Sequence, residues 1–525
     1  MPHENGGARA ILELGRNAWK IGRPEAAGVL VDAAAYYRAF YAAALRAKHT
    51  IILSGWQFDS GVPLLRGDDA PPRAEVRLLK FLNQLCAERP ELEIYILAWD
   101  FHVVFSLERE WMQTAYFEWA TSPRLHFRFD DTQAAQGSHH QKFVVIDRSV
   151  SFVGGIDLCE ARWDDRRHQA ANPLRLSHGA PSKPYHDVQA YLVGCEPADI
   201  LRQLFVDRWA RTEGPALTLV ECEGSEAAPD GLDGALPLGS GPVAFSRTDA
   251  RAPEETVREV EHLLVAAIAA AERLIYIETQ YFSSRAICEA IAARMQEPER
   301  PRLEIVVILN TKPEAFKEEV AIGLRQAKIL TRIAQTASTT GHALGVYSTL
   351  SEGTAPDRPS TYIHSKLLMV DDRFLTVGSA NLTNRSMGVD TELHASWEAT
   401  GASEGDLELR ARLVDLRVSL LAEHTGLSDD ALEKQAADLG TVEGLVARLD
   451  GLAATENARL TPHVVASRGE KLFMKLVDPE ALPFDPAEPV YDVESDGARE
   501  EQQHSRGWFI SGVSALRQKL KPMGG

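Results

Sequence analysis

Apolar and polar positions form two series of elements along the chain, and the second series resembles the first. In the first series, Asp32 is the predicted N-cap of a helix, and a strand is predicted at residues 50–54. The apolar stripe of this helix consists of Tyr37, Phe40, Tyr41 and Ala44. In the second series, a helix precedes a strand predicted at residues 274–277. The apolar stripe of this second helix consists of Val257, Val260, Leu264 and Ile268.

A further strand in each series is the closest sequence match between them. Residues 92–97 read LEIYIL and residues 303–308 read LEIVVI. Two similar helix and strand units in one chain indicate a duplicated domain. We therefore predict an α/β fold made of two similar α/β/α domains related by a pseudo-twofold axis.

Composition changes mark the predicted domain boundaries. Residues 221–241 are rich in Gly, Ala, Pro and Asp and lack a periodic pattern, which predicts a linker. The amino-terminal domain is then residues 1–220, and the carboxyl-terminal domain is residues 242–400. Residues 401–525 are predicted to form a helical and irregular extension, with helical spacing at 407–421 and 430–449.

One short pattern, His-x-Lys-x4-Asp, occurs once in each half. The first copy is His140, Lys142 and Asp147, and the second is His364, Lys366 and Asp371. A glycine turn follows each copy, at residues 154–157 and 378–381. Because side chains alternate along a strand, the histidine and lysine of each copy share one face. A lysine that holds anionic oxygens beside an imidazole suits chemistry on a phosphate, with the imidazole attacking phosphorus or protonating a leaving oxygen.

Bulk composition is that of a globular protein of more than one domain. The chain has 525 residues, 45% of them hydrophobic and 25% charged. Its formal charge of −19 argues against broad nonspecific binding to nucleic acid or to an anionic lipid surface. Five cysteines, an odd number without C-x-x-C spacing, predict neither a disulfide framework nor a zinc site.

The amino-terminal residues do not have the layout of a signal peptide. Residues 1–9 are polar and Gly-rich, and the longest apolar runs, 33–47 and 263–271, are too short or too interrupted to cross a bilayer. We expect a cytoplasmic protein, with peripheral membrane contact and a signal-less export route left open.

The motif regions resemble the phospholipase D superfamily, most closely its eukaryotic-type signatures. Residues 139–147 read HHQKFVVID, followed by FVGGIDL at 152–158 and RWD at 162–164. The segment IYIETQYF at 275–282 is also similar to this signature, and the resemblance extends from about residue 32 to residue 400. It implies two similar α/β halves with one active site at their interface, and a reaction through a covalent phosphohistidine.

The resemblance assigns roles to the paired motif residues. His140 and His364 would be the nucleophile and the general acid, with His140 favoured as nucleophile and the assignment left open. Lys142 and Lys366 would hold the nonbridging phosphate oxygens, a role that needs neither a metal nor a cofactor. No metal or cofactor is therefore expected.

Each imidazole also needs a partner on its second nitrogen, and the repeat predicts one. Residues 185–190, YHDVQA, correspond to residues 390–395, DTELHA. Asp187 and Glu392 are the candidates for these orienting carboxylates. Asp147 and Asp371 complete the catalytic motif, but we expect them to stabilise the turn and the core around the site.

The two glycine turns differ in their polar residues. The second matches the usual family form, with Ser379, Asn381 and Asn384 available as donors near a phosphate. The first has Gly155 and Asp157 where the family has serine and asparagine. Since an aspartate would repel a phosphate, we expect Asp157 to orient another group. Three further histidines lie near the first motif, and we interpret them as structural or solvent-facing: His139, His168 and His186.

The predicted function is hydrolysis or transphosphatidylation of glycerophospholipids at a membrane surface. A cardiolipin-synthase-like phosphatidyltransferase is the first alternative, although typical members carry amino-terminal membrane helices, which are not predicted here. A nuclease is disfavoured by the acidic composition, and a catalytically silent scaffold is disfavoured by the two complete His-Lys pairs. The headgroup, the acceptor and the oligomeric state stay open, and a monomer would suffice because one chain holds both motifs.

Overall fold

The computed structural model describes most of the chain. The described residues are 10–71, 76–99, 121–134, 137–220, 222, 224, 230–251, 255–311, 316–353, 358–427, 429–463 and 485–489.

The described residues form the following strands, in chain order: β1 Lys20–Gly22, β2 Ala26–Val31, β3 Thr50–Gly55, β4 Glu93–Trp99, β5 Leu125–Asp130, β6 Phe143–Ile146, β7 Val150–Gly154, β8 Leu176–Ser177, β9 Ala180–Pro181, β10 Tyr185–His186, β11 Val188–Val193, β12 Leu236–Gly239, β13 Val243–Asp249, β14 Val257–Arg258, β15 Leu274–Thr279, β16 Glu304–Leu309, β17 Ala343–Thr349, β18 Tyr362–Ile363, β19 Leu367–Val370, β20 Phe374–Gly378, β21 Glu392–Glu398 and β22 Leu460–Pro462. The α-helices are α1 Asp32–Ala44, α2 Leu78–Glu88, α3 Cys195–Trp209, α4 Glu259–Ala270, α5 Arg285–Met295, α6 Phe316–Thr340, α7 Asn384–Gly388, α8 Glu404–Thr425, α9 Asp429–Gly440 and α10 Leu445–Ala453.

Two large sheets with the same strand order form the two halves. The first runs β12-β2-β11-β7-β6-β3-β4-β5, and the second runs β1-β13-β21-β20-β19-β15-β16-β17-β22. From β2 to β5 and from β13 to β17, equivalent neighbours also pair in the same direction, antiparallel up to β3 and β15 and parallel beyond them. The predicted duplicated α/β fold is confirmed.

Helices cover both faces of each sheet because the strands are apolar on both sides. Helices α1 and α2 pack on the outer face of the first sheet, and α4, α5 and α6 pack on the outer face of the second. A central core contains residues of both sheets together with α3 and α8. No helix in the described part of the chain is long and apolar enough to cross a membrane.

Several segments differ from the boundaries expected from the sequence. Leu236–Gly239 lies inside the expected linker but pairs with β2 as an edge strand of the first sheet. Strand β1, from the amino-terminal part, and β22, from the carboxyl-terminal extension, both pair with strands of the second sheet. The expected N-cap role of Asp32 is wrong: Val31 precedes the helix without a side-chain cap, and Asp32 is buried in the interior instead.

The two halves are joined at equivalent positions next to the motifs. Strands β10 and β18 pair in parallel, with His186 opposite Ile363. His139 forms the corresponding bridge with Thr391. As a result, the segment before each His-Lys motif lies beside the segment that carries the predicted carboxylate of the other half.

Candidate active site

The structure brings both motif histidines to the junction between the halves. His140 lies just before β6, and its backbone N–H donates to Thr391 O at 3.1 Å. His364 lies just before β19, and its backbone N–H donates to His186 O at 2.8 Å. Each motif therefore starts from a backbone contact with the opposite half of the molecule.

The orienting carboxylates are exchanged between the halves. His140 Nδ1 lies 2.9 Å from Glu392 Oε2, and His364 Nδ1 lies 2.6 Å from Asp187 Oδ2. A carboxylate on Nδ1 fixes the tautomer, so that Nε2 carries the reactive lone pair or proton. Among the described residues, neither histidine has a hydrogen-bond partner on Nε2. This placement is the one that nucleophilic and acid roles require.

Burial and neighbouring cations favour the neutral form of both imidazoles. Burial lowers the pKa of His140 well below its usual value, and the ammonium groups of Lys142 and Lys366 lower it further. Burial likewise lowers the pKa of His364, and for this ring Lys366 is the largest cationic contribution. An anionic ligand between the two rings would favour protonation of one of them.

Burial raises the pKa of the two orienting carboxyl groups, whereas it lowers the pKa of the two histidines. Burial raises the pKa of Glu392 to about 7, with Asp390 adding to the rise. Burial raises the pKa of Asp187 to about 6, opposed mainly by Lys366. Both shifts have the same cause, because a carboxylate in an apolar interior loses hydration.

The two lysines are held in equivalent ways by their own motifs. Lys142 Nζ donates to His140 O at 3.2 Å, and Lys366 Nζ donates to His364 O. Both side chains are buried, and burial lowers the pKa of Lys366 to about 7. The structure thus brings two lysines and two imidazoles together, an arrangement whose positive charge suits an anionic ligand.

Asp157 makes the two half-sites electrostatically unequal. Its Oδ1 accepts the N–H of Trp56 at 2.9 Å, and its Oδ2 lies 3.6 Å from Lys142 Nζ. Asn381 occupies the equivalent turn position and carries no charge. Lys142 thus has a carboxylate partner in the turn, whereas Lys366 contacts the neutral Oε1 of Gln280 at 3.4 Å.

Ser379 and Gly155 lie against the two orienting carboxylates. Neither presents a side-chain donor to a ligand, because the Ser379 hydroxyl donates to Glu392 and Gly155 has no side chain. The Ser379 hydroxyl donates to Glu392 Oε2 and accepts the Leu393 N–H. At the equivalent position, a Cβ on Gly155 would lie 2.4 Å from Asp187 Oδ1. A side chain therefore fits in one half and is excluded by the carboxylate in the other.

The expectation for Asn384 needs correction, and Asp147 and Asp371 lie away from the motif lysines. Asn384 Nδ2 donates to Ser283 O and to Asp485 Oδ2, so this amide is committed to structure and not directed to a phosphate. Asp147 and Asp371 belong to the catalytic motifs, but each lies at the far end of its strand, roughly 16 Å from the motif lysine for five extended residues.

These two aspartates hold the start of the neighbouring strand, in keeping with the structural role predicted from the sequence. Asp147 accepts backbone N–H groups of Lys48, His49 and Thr50 at 2.8–2.9 Å. Asp371 accepts three equivalent N–H groups at 2.7–2.8 Å, from Glu272, Arg273 and Leu274. Both have positive φ, which Asp tolerates in turns better than most residues.

A group of buried titratable residues behind Asp187 was not identified from the sequence. It contains Asp32, His168, His186 and Glu423, and Glu278 and His424 adjoin it. One signal was present: Glu278 is an acidic residue inside the apolar strand β15, which has every residue buried. The interpretation of His168 and His186 as non-substrate residues agrees with their complete burial.

Fold and site together define a duplicated α/β protein with one composite centre of two histidines and two lysines. A family model described as Phospholipase D matches residues 43–233, and one described as Cardiolipin synthase, PLD-like domain, matches residues 264–405. The chain belongs to the phospholipase D superfamily.

Individual relatives are distant in sequence. Phospholipase D alpha 4 of Arabidopsis thaliana is 24% identical over 77% of this chain and 66% of its own length. Phospholipase D alpha 1 of Zea mays is 24% identical over 74% of this chain and 63% of its own length. The chain thus spans slightly less than two thirds of these plant relatives. A phosphatidylserine synthase structure from Haemophilus influenzae Rd KW20 aligns with TM-score 0.50 at 14% identity, covering 82% of this chain and 94% of that chain, and shows the shared fold.

Proposed function

We propose that this protein is a phospholipase D-type phosphodiesterase that cleaves glycerophospholipids through a covalent phosphohistidine. The observation that carries the proposal is the crosswise pairing of His140 with Glu392 and of His364 with Asp187. It leaves two Nε2 atoms available beside two ammonium groups, which is what a two-step displacement at phosphorus requires.

In the first step, His140 Nε2 attacks phosphorus and the bond from phosphorus to the headgroup oxygen breaks. His364 acts as the acid, and its Nε2–H proton passes to the leaving oxygen. His364 takes up this proton when the anionic phosphodiester binds, because the negative charge raises the pKa of the adjacent imidazole. Lys142 and Lys366 stabilise the charge on the nonbridging oxygens.

In the second step, neutral His364 removes a proton from water, and the resulting hydroxyl attacks phosphorus. The phosphorus to nitrogen bond breaks, which returns neutral His140 and releases phosphatidic acid. An alcohol in place of water gives a new phosphodiester by the same path. Hydrolysis and phosphatidyl transfer therefore differ only in the acceptor that reaches the intermediate.

A phospholipid substrate is supported by the residues around the site. The segments around His140 and at residues 275–282 resemble eukaryotic-type phospholipase D, and the plant relatives carry that name. The net charge of −19 does not favour a nucleic acid substrate.

Contact with the membrane would be peripheral. The five cysteines are all unpaired, which fits the reducing conditions of the expected cytoplasmic location.

Lipid analysis of mixed phospholipid vesicles tests the proposal. Wild-type protein is expected to produce phosphatidic acid, or a new phosphatidyl ester when an alcohol such as ethanol is added. His140→Asn should abolish both products, whereas His262→Asn, a change at an exposed histidine on α4, should leave them at the wild-type level. Absence of product from every phospholipid with folded wild-type protein would remove the lipid assignment.

The identity of the nucleophile needs a second measurement. In a phosphatidyl ester of p-nitrophenol, the p-nitrophenolate group leaves without protonation by an acid. The His364→Asn protein should therefore still form the covalent intermediate from this substrate but hydrolyse it slowly. Quenching in alkaline denaturant, which preserves the acid-labile phosphorus to nitrogen bond, followed by mass spectrometry should then find a phosphatidyl group on His140. A modified His364 in the His140→Asn protein would reverse the two roles.

A further inference from the structure

Four buried side chains converge next to Asp187, which Asp32 contacts through its backbone and its carboxylate. The buried histidine cluster consists of Asp32, His168, His186 and Glu423, each with one nitrogen or oxygen within 4.8 Å of the others. They come from the start of α1, a loop, strand β10 and the end of α8. All four side chains are at most 2% exposed.

The facing atoms are separated by distances that suit ligands of one ion. His186 Nδ1 lies 3.2 Å from Asp32 Oδ1 and 2.6 Å from Glu423 Oε1. His168 Nε2 lies 3.0 Å from Glu423 Oε1 and 3.5 Å from Asp32 Oδ2. Donors bound tetrahedrally at the usual zinc distances lie ~3.3 Å from one another. Three of the four separations fall near that value.

Outer carboxylates set the tautomers so that both rings offer a lone pair to the centre. His168 Nδ1 donates to Asp164 Oδ2 at 2.9 Å, and His186 Nε2 donates to Glu278 Oε2 at 3.0 Å. A histidine that binds a metal through one nitrogen almost always donates the other N–H to a carboxylate, a carbonyl or water. Both histidines of the cluster have this arrangement.

Two of the converging atoms lack hydrogen bonds although they are fully enclosed. His186 Nδ1 and Asp32 Oδ2 have no hydrogen-bond partner, because their close contacts do not have hydrogen-bond geometry. Buried polar atoms are rarely left unsatisfied in this way. An ion between them would satisfy both at once.

We propose that the buried histidine cluster binds one divalent transition-metal ion, with Zn²⁺ as the best match. Two imidazole nitrogens and two carboxylate oxygens form a four-coordinate donor set typical of Zn²⁺ and unlike the all-oxygen sets of Mg²⁺ and Ca²⁺. Asp32 and Glu423 supply two carboxylates to the cation, and Glu423 also pairs with Arg166 through its other oxygen, Oε2. The competing occupant is a pair of protons, one on each imidazole.

The ion would have a structural and positioning role. Asp32 Oδ1 accepts the N–H of Asp187 at 3.2 Å, and Asp32 N–H donates to Asp187 O at 2.8 Å. Asp187 in turn holds His364. Glu423 brings in helix α8, so the ion would attach the carboxyl-terminal region to the back of the site. The metal would not contact the substrate or take part in the reaction.

Metal analysis of the full-length protein tests this proposal without depending on activity. Wild-type protein stripped with a chelator and reloaded with Zn²⁺ should retain one ion per chain after gel filtration, with a higher Tm than the stripped form. Glu423→Gln and His168→Asn should bind Zn²⁺ at least about tenfold more weakly. His342→Asn, which alters a buried histidine elsewhere, should bind as the wild type does.

Wild-type protein alone provides the second measurement, in case the variants do not fold. Loading with Co²⁺ should give visible absorption of a four-coordinate ion, and crystals of the Zn²⁺ form should show anomalous density between His168 and His186. The proposal fails if stripped wild-type protein takes up no ion, if Glu423→Gln binds as tightly as wild type, or if the anomalous density lies elsewhere. Any of these results would favour two protons as the occupants.

Discussion

His140 Nδ1 lies 2.9 Å from Oε2 of Glu392, a residue 252 positions further along the chain. The equivalent pair, His364 and Asp187, is separated by 177 positions and runs in the opposite direction. Each half therefore supplies a histidine that only the other half can orient. The two halves are similar in fold, but neither contains both members of a histidine–carboxylate pair, so we expect activity to require both halves.

Changing one carboxylate should disturb the histidine of the opposite half. Glu392→Gln and Asp187→Asn should lower kcat by about 10²–10⁴, because the ring loses the partner that fixes its tautomer and stabilises its charged form. In NMR spectra of labelled histidine, Glu392→Gln should shift the His140 ring signals and leave those of His364 in place. The reverse pattern would contradict the crosswise assignment.

The acid side of the pH profile should reflect a neutral nucleophile. The pKa of His140 is lowered well below the usual value for histidine, so kcat/KM for a monomeric short-chain phosphatidylcholine should stay level at neutral pH and decline only in clearly acidic solution. The decline has this sign because protonation removes the attacking lone pair. The charged groups facing the ring are Lys142 and Lys366, which lower its pKa, and Asp157 and Asp390, which raise it, while Glu392 contacts Nδ1.

Removal of the Lys366 charge should raise the pKa of His140. Lys366→Met takes away a positive charge near His140 and should raise the pKa of the ring. NMR titration of the His140 ring measures this shift even if turnover is weak. An unchanged or lower pKa would show that the two groups do not interact.

Asp147 and Asp371 should matter for stability more than for turnover. Asp147→Ala leaves three backbone N–H groups without their acceptor and should destabilise by about 1–3 kcal/mol for each donor that stays buried and unsatisfied. Thermal unfolding should show a lower Tm, with a smaller decrease for Asp371→Ala because its donors are more exposed. Asp207→Ala, at an exposed helical position, is the matched control. A large loss of kcat in folded Asp147→Ala protein would instead indicate a direct catalytic role.

Gly155 should tolerate no side chain even though its counterpart in the second half is Ser379. Gly155→Ser places a Cβ 2.4 Å from Asp187 Oδ1, and the carboxylate must move away from His364 to make room. We expect a loss of kcat similar to that of Asp187→Asn. Gly451→Ala, which meets nothing within 4 Å, should behave as wild type in the same kinetic assay.

Much of the site could be predicted because its signals are local and repeated. Each motif places histidine and lysine on one strand face, and the repeat of residues 185–190 in 390–395 identified both carboxylates. The prediction of a helix cap from neighbouring residues was less reliable. Asp32 stands at the start of an apolar helix, as a capping residue would, but its side chain turns inward and contacts buried groups. The prediction for Asn384 also failed because of a contact that the local sequence does not show: its partner Asp485 lies 101 residues away.

The sequence by itself determined that this is a duplicated α/β protein with two His-Lys pairs, because strand alternation and a repeated motif depend only on neighbouring residues. Tertiary structure alone decided which carboxylate serves which histidine and how Asp32, His168, His186 and Glu423 meet behind the site. These contacts join residues from distant parts of the chain, and only the packing of the two halves and of helix α8 brings them within bonding distance.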